Sequence, residues 1–270
     1  MKTLTLLFLL CNVLCSFSQK MDSDYFEEGV KFFRDGNYED ASKNFQYIVD
    51  HYKQSAYFED AVYNLGISQL NVKNYTDALR TFQFILQSNV TDDKYIGGDI
   101  MSNPFANYKH TSASIISEIF KKIENYDSAL VYLSFSDTLY PLQSFCGNEW
   151  SEYSKDLRLN YAELYFKLGE QSKATAKLLT LVWNDESEDK EIIEKLHANL
   201  KNDSEVFKDF KIALKNMTLE NKDENCICYI TFSGTKIQIP NYFTSNTTCD
   251  KRKIQNAIKQ SELYKMFEAL

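Results

Sequence analysis

The sequence predicts an all-α protein, a stack of antiparallel helix pairs that ends in a small C-terminal β-hairpin plus helix. Three observations predict it. A four-residue register recurs: Gly29, Phe32, Ala41, Phe45; then Gly66, Gln69, Ala78, Phe82; then Ser117, Phe120, Ala129, Leu133; then Ala162, Tyr165, Ala174, Leu178. The small residue precedes the Ala by 12 positions every time, which spans one helix, a turn and the start of a second helix. Composition agrees, because 3 Pro and 8 Gly in 270 residues exclude long low-complexity linkers. The alternation of β-forming residues over 226–239 is unlike anything before it.

The first segment reads as an export signal. Lys2 is a short positive region, Leu4 to Leu14 an apolar stretch, and Ser16-Phe17-Ser18 supplies small residues before Gln19. That places a signal peptide at 1–18, a helical repeat domain at 19–220, and the hairpin with its helix at 221–270. Without the signal no membrane span is expected, since the apolar run is too short. Cys11 and Cys15 follow Leu10 and Leu14, where a lipid-attachment signal carries a small residue, so a lipid anchor is disfavoured. The expected location is exported, periplasmic or extracellular.

In the first pair, Tyr25, Gly29 and Phe32 share a helical face that runs to about Arg34. Asp35-Gly36-Asn37 stops it, Gly and Asn both tolerating a left-handed backbone, and Tyr38 opens a second helix with Ala41, Phe45 and Ile48 inward. The second pair repeats this with Val62, Leu65 and Gly66, a turn at Lys73-Asn74, then Tyr75, Ala78, Phe82 and Ile85. Asp92 to Asn107 is read as a loop or a short inserted helix. Asp92, Asp93 and Asp99 lack the spacing and terminal Glu of a calcium loop. The third pair has Ala113, Ile116 and Ser117, a turn at Glu124-Asn125, then Tyr126, Ala129 and Leu133, with Pro141 closing it. Phe145-Cys146-Gly147-Asn148 marks a turn before Trp150. The fourth has Tyr161, Ala162 and Tyr165, Leu168-Gly169 at its turn, then Ala174, Leu178 and Leu181; Arg158 obscures where its first helix starts.

Lys190 to His197 and Ser204 to Met217 read as a degenerate fifth pair that caps the stack. Asn221 to Asn225 is a polar linker. Cys226–Phe232 and Lys236–Ile239 form a hairpin about Ser233-Gly234-Thr235, and Asp250 caps one last helix with Ile254, Ile258, Leu263 and Phe267. An isolated hairpin is marginal, so it must pack on that helix or on the repeats. Removing 1–18 leaves Cys146, Cys226, Cys228 and Cys249. Cys226 and Cys228 share a strand face and cannot readily pair together. The expected bridge joins Cys249 to one of them, Cys228 being the choice, and leaves Cys146 free; the alternative is four unpaired thiols.

The register resembles the tetratricopeptide repeat, whose pattern sets a small residue at the helix crossing, an aromatic three residues on and Ala twelve on. The likeness covers roughly residues 22 to 183. It implies a right-handed superhelical stack and protein partners. The first two units lie 37 apart, with the extra residues in His51 to Tyr57, a Tyr-x-x-Ser-x-Tyr join. That lengthening looks like exported repeat proteins of bacterial envelopes, among them outer-membrane assembly lipoproteins and the division coordinator associated with the Tol–Pal system.

Catalysis has little to stand on. His51, His110 and His197 fall in separate helical units with no metal spacing, and His51 and His110 are read as partly exposed helix ends. A Cys146–His110 pair has no flanking signature, and no glycine-rich phosphate loop exists. The expectation is no enzyme, no cofactor and no metal. Net charge is −8, becoming −9 once Lys2 is removed, which disfavours nucleic acid.

The remaining surface is the concave face of the first helices. In this register it presents Phe26, Val30, Phe33 and Arg34; Tyr63, Asn64, Ile67 and Leu70; Glu118, Lys121 and Lys122; Leu159, Glu163 and Phe166. Family members that clamp a peptide carboxylate need Lys and Asn here. Phe26 and Val30 occupy two such positions, although Asn64 matches. An apolar groove with an aromatic floor is expected, suited to an extended or helical protein segment. The alternative is that the hairpin or terminal helix fills it. The expected function is therefore a non-catalytic interaction scaffold of the bacterial envelope. Alternatives are a structural subunit of an envelope assembly or secretion complex, and a cysteine-dependent redox protein. Partner identity and oligomeric state are left open.

Overall fold

The structure is a computed structural model that describes residues 20–97, 103–183, 187–200, 203–222, 225–244 and 249–270. The export segment and Asp99 lie outside the described residues. The chain separates into two compact units, one of Met1–Tyr95 with Ala106–Ile119 and one of Ile96–Phe105 with Phe120–Leu270.

The first unit holds α1 (Asp22–Arg34), α2 (Tyr38–His51), α3 (Phe58–Asn71), α4 (Tyr75–Gln87) and most of α5 (Tyr108–Lys122). As the register predicts, α1 ends at Arg34, α2 starts at Tyr38 and α4 starts at Tyr75. Gly29 and Gly66 lie at their crossings because a Cβ there would stand 2.8 Å from a ring carbon of Phe45 and of Phe82 respectively. Phe45 and Phe82 are fully buried, and Ser117 and Ala162 of the later units are buried as well. Gln69, where the register has an aromatic in the other units, is buried and accepts a hydrogen bond from Thr81 Oγ1 at 2.8 Å. A polar tie replaces ring packing there.

The turns differ in detail from the expectation. Asn does not take the left-handed backbone; the residue before it does. Gly36, Lys73 and Glu124 have φ of 76°, 61° and 60°. Asn37, Asn74 and Asn125 instead cap the following helices, their side chains accepting from the backbone N–H of Asp40, Asp77 and Ser128.

Described parts of the 92–107 insertion are irregular, and α5 starts directly after them. Asp92 explains the start: its carboxylate accepts from the N–H of Lys109 at 2.6 Å and of His110 at 2.9 Å. Lys94 reaches back to α3, pairing with Glu59 at 3.1 Å and Asp60 at 3.2 Å.

The second unit contains α6 (Tyr126–Ser134), continued by a π-helical turn at Phe135–Leu139, then α7 (Gly147–Lys167), α8 (Gln171–Val182), α9 (Lys190–Asn199) and α10 (Ser204–Lys215). The α7 helix is longer than its register suggests: it begins at Gly147, runs 21 residues and carries Arg158 within it. Ala129, Leu133, Tyr161 and Leu164 form a small core between α6 and α7.

The C-terminal part departs from the expected single hairpin. Strands β1 (Thr218–Lys222), β2 (Asn225–Phe232) and β3 (Thr235–Ile239) form a three-stranded antiparallel sheet in the order β1-β2-β3. Asn221 and Lys222 thus close a ladder in which Lys222 pairs with Asn225, where the sequence suggested a linker. Ser233 and Gly234, at φ 44° and 78°, make the two-residue turn between β2 and β3. A short helix α11 (Asn241–Thr244) follows the sheet, and the expected last helix is two pieces, α12 (Lys251–Ile258) and α13 (Glu262–Glu268). Asp250 caps α12 as predicted, but Ser261 caps α13 anew, so the apolar stripe bends between Ile258 and Leu263.

One face of the sheet, Cys228, Ile230, Phe232, Ile237 and Ile239, joins residues of α8, α10, α12 and α13 in one core. Phe210 sits centrally, 4.8 Å from the Phe267 ring and 6.2 Å from Phe232. A sheet too small to stand alone is thus stabilised by helices, as the physics of isolated hairpins requires.

Cys226, not Cys228, bridges to Cys249. Cys228 lies wholly inside the sheet core, whereas Cys226 is two residues nearer the strand end, half-buried and 5.4 Å (Cα–Cα) from Cys249. Both face the same way, so the shared face was right and the position along it was not. Cys146 is free and exposed.

Candidate functional site

The predicted concave positions are half-buried or exposed; none is fully buried. Their availability differs between the two units, which are taken in turn.

In the first unit α1 offers a shallow shelf of about 350 Å³ lined by Phe26, Val30 and Arg34 together with Glu27, Lys31 and Asp35. Part of its apolar surface is already engaged. Phe26 stacks on Tyr57 at 4.8 Å, and Phe33 meets Tyr38 edge-on at 5.2 Å. Tyr63 is committed to packing: its ring stacks on Tyr108 at 4.7 Å. Burial raises the Tyr63 phenol above its ordinary range, and a hydrogen bond with Thr111 acts weakly in the other direction. Tyr108 in turn donates to Asp60, and burial followed by that carboxylate keeps it protonated well above the ordinary phenol range. Asn64, Ile67 and Leu70 remain partly exposed on α3, and Glu118 is exposed on α5.

In the second unit the predicted residues come together. Leu159, Glu163 and Phe166 line a cavity of about 590 Å³ on α7. Asp156, Asn160, Ala162 and Lys167 join them on the same helical face, spaced three and four apart. Leu178 of α8 closes the floor, and Lys195 and Asn199 of α9 form the far wall. The floor is apolar and the rim polar. Lys121, at the end of α5, is held over that rim, pairing with Glu163 at 2.8 Å and bonding Asn160 at 3.2 Å. Lys122 is exposed beside it. Among the described residues, none from the sheet or the terminal helices lines this cavity, although Ala162 and Leu178 belong to the same core as they do and Leu159 and Phe166 pack against it.

Sequence reasoning missed Asp156, Asn160 and Lys167, although one turn on either side of Glu163 reaches Asn160 and Lys167 and a second turn back reaches Asp156. Leu178, Lys195 and Asn199 carry no such signal, because only tertiary packing brings α8 and α9 to this face.

The chemistry on offer is contact, with apolar insertion below and amide and charged groups above. Among the described residues no three His, Cys, Asp or Glu side chains cluster to hold a metal ion. His110 is buried at the start of α5, not partly exposed, while His51 is exposed and its ring bonds the Tyr47 carbonyl at 3.0 Å. Burial pushes the Cys228 thiol up to about 11, which keeps it protonated and a poor nucleophile near neutral pH. No helix among the described residues is long and apolar enough to cross a membrane.

Paired helices crossing over small residues fit a tetratricopeptide repeat family. No protein-family model matches the chain. No curated protein matches it either. Among solved structures it is similar to a thermophilic TPR protein from Thermus thermophilus, at 18% identity over 72% of this chain and 91% of that one, with a TM-score of 0.38. The fold assignment stands on the crossings themselves.

Proposed function

We propose that this protein is a non-catalytic scaffold that holds a segment of a partner protein, with the α7 cavity as the principal contact. The observation that carries the proposal is the geometry of that cavity. About 590 Å³ is left open over Leu159, Ala162, Phe166 and Leu178, with Asn160 and Asn199 at the rim to bond a peptide main chain. An extended segment inserting apolar side chains fits this better than a small polar substrate.

The setting we propose is a bacterial envelope or another exported location. The reading of 1–18 as an export signal supports it, as does the Cys226–Cys249 bridge, since disulfides persist in oxidising compartments. A photo-reactive residue placed at Glu163 or Asn199, both exposed, tests the binding face. One protein should be captured from both positions and not from Asp209 on α10, and Leu159→Asp should abolish capture while far-UV circular dichroism stays unchanged. Equal capture from Asp209, or capture unaffected by Leu159→Asp, would rule the cavity out. Stable co-fractionation of the captured protein in a large complex would instead indicate a structural subunit.

A further inference from the structure

We propose that a second cleft, between α10 and the α12–α13 corner, binds a multiply charged oxyanion of the phosphate type through Lys211, Lys215 and Lys259. The cleft is about 260 Å³ and is lined by those three lysines with Leu214, Gln255 and Tyr264. No carboxylate lines it, in a chain whose 38 acidic residues outnumber its 30 basic ones. On α10 the preceding cation is paired, Lys208 with Glu205 at 3.2 Å. Among the described residues, Lys211, Lys215 and Lys259 have no such partner.

Helix ends explain only part of this. A cation at a helix C-terminus is favoured by the helix dipole, which accounts for Lys215 and Lys259 one at a time. Lys211 lies a turn earlier, four residues from a like charge on the same face, an arrangement that costs helix stability. It is also steadied, its ammonium standing 4.2 Å from the centre of the Phe207 ring. Leu214 and the Tyr264 ring supply an apolar base. Burial, then Glu268, raises the Tyr264 phenol, so the hydroxyl stays a hydrogen-bond donor. Three lysines lining one cleft with a hydroxyl donor, and no carboxylate in its lining, suit a compact ligand carrying two or more negative charges.

The phosphate can be free or part of a phospholipid head group, and two measurements on the full chain distinguish them. Inorganic diphosphate is titrated calorimetrically, and vesicles of phosphatidylglycerol in phosphatidylcholine are tested by co-sedimentation. Saturable diphosphate binding is expected to weaken roughly tenfold in K211Q/K259Q and to hold in K43Q/K53Q, which removes the same charge elsewhere. Vesicle binding with that dependence, without diphosphate binding, assigns the site to a head group. Binding of neither probe, or an equal loss in K43Q/K53Q, overturns the proposal. Circular dichroism shows that each variant folds.

Discussion

Gly66 faces the ring of Phe82 so closely that an added methyl group would meet Cε1 at 2.8 Å and Cζ at 2.9 Å. Gly29 and Phe45 repeat the relationship one pair earlier, with the same 2.8 Å to Cε1. Neither glycine has a positive φ, so their role is space and not backbone freedom.

Gly66→Ala should therefore destabilise the first unit by about 1–3 kcal/mol, the usual penalty of overpacking, despite the gain in helix propensity that Ala brings. A smaller side chain opposite should restore much of the loss. Urea unfolding of G66A, F82L and the double variant checks this: the cycle must show coupling, and simple additivity would mean that the close approach is unimportant.

Cys146, Cys226, Cys228 and Cys249 should fall into three classes under alkylation of native protein. Cys146, exposed, labels at once; Cys228, buried with a raised thiol, labels only on unfolding; Cys226 and Cys249 label only after reduction. Mass spectrometry of peptides reads the pattern, and a Cys228–Cys249 linked peptide would contradict the bridge seen here. The bridge spans 23 residues, and its removal in C226S/C249S should cost about 3 kcal/mol.

Asp92→Ala should loosen the start of α5. Two backbone N–H groups, of Lys109 and His110, lose their acceptor, a capping loss of about 1–2 kcal/mol. Hydrogen exchange at those two amides should accelerate while exchange in α1 stays as before.

Alkali should attack the buried tyrosines. Burial is the first cause of the raised phenols of Tyr108, Tyr153 and Tyr161, followed by Asp60 for the first and by Asp137 for the others; Tyr153 is pushed up to about 12. A group whose pKa is raised by folding adds stability that is complete below its unfolded value, about 10 for Tyr, and is lost as pH climbs through the folded value. Stability should hold to about pH 10 and fall above it. Tyr108→Phe should be less stable at pH 7, where it lacks the bond to Asp60, and the deficit should shrink above pH 10. A constant deficit across that range would contradict this account.

Much of the fold was legible because the signals are local. Asp35-Gly36-Asn37 ends one helix and starts another through φ and a cap, both set by neighbouring residues. The candidate site was legible in part: Leu159, Glu163 and Phe166 follow from helical spacing on α7. Tyr63 reads identically in sequence yet is taken up by Tyr108, a residue 45 positions away. No pattern on α3 could reveal that.

The amino-acid order alone determined where the first pairs turn and cross, because caps, left-handed turns and small-residue crossings depend on side chains within one pair. Only the tertiary structure decided which cysteine reaches Cys249, that the residues after Met217 add a strand, and that α9 walls the cavity on α7. Those outcomes depend on burial against distant chain, and a side chain's distance from its solvent edge is written in no local spacing.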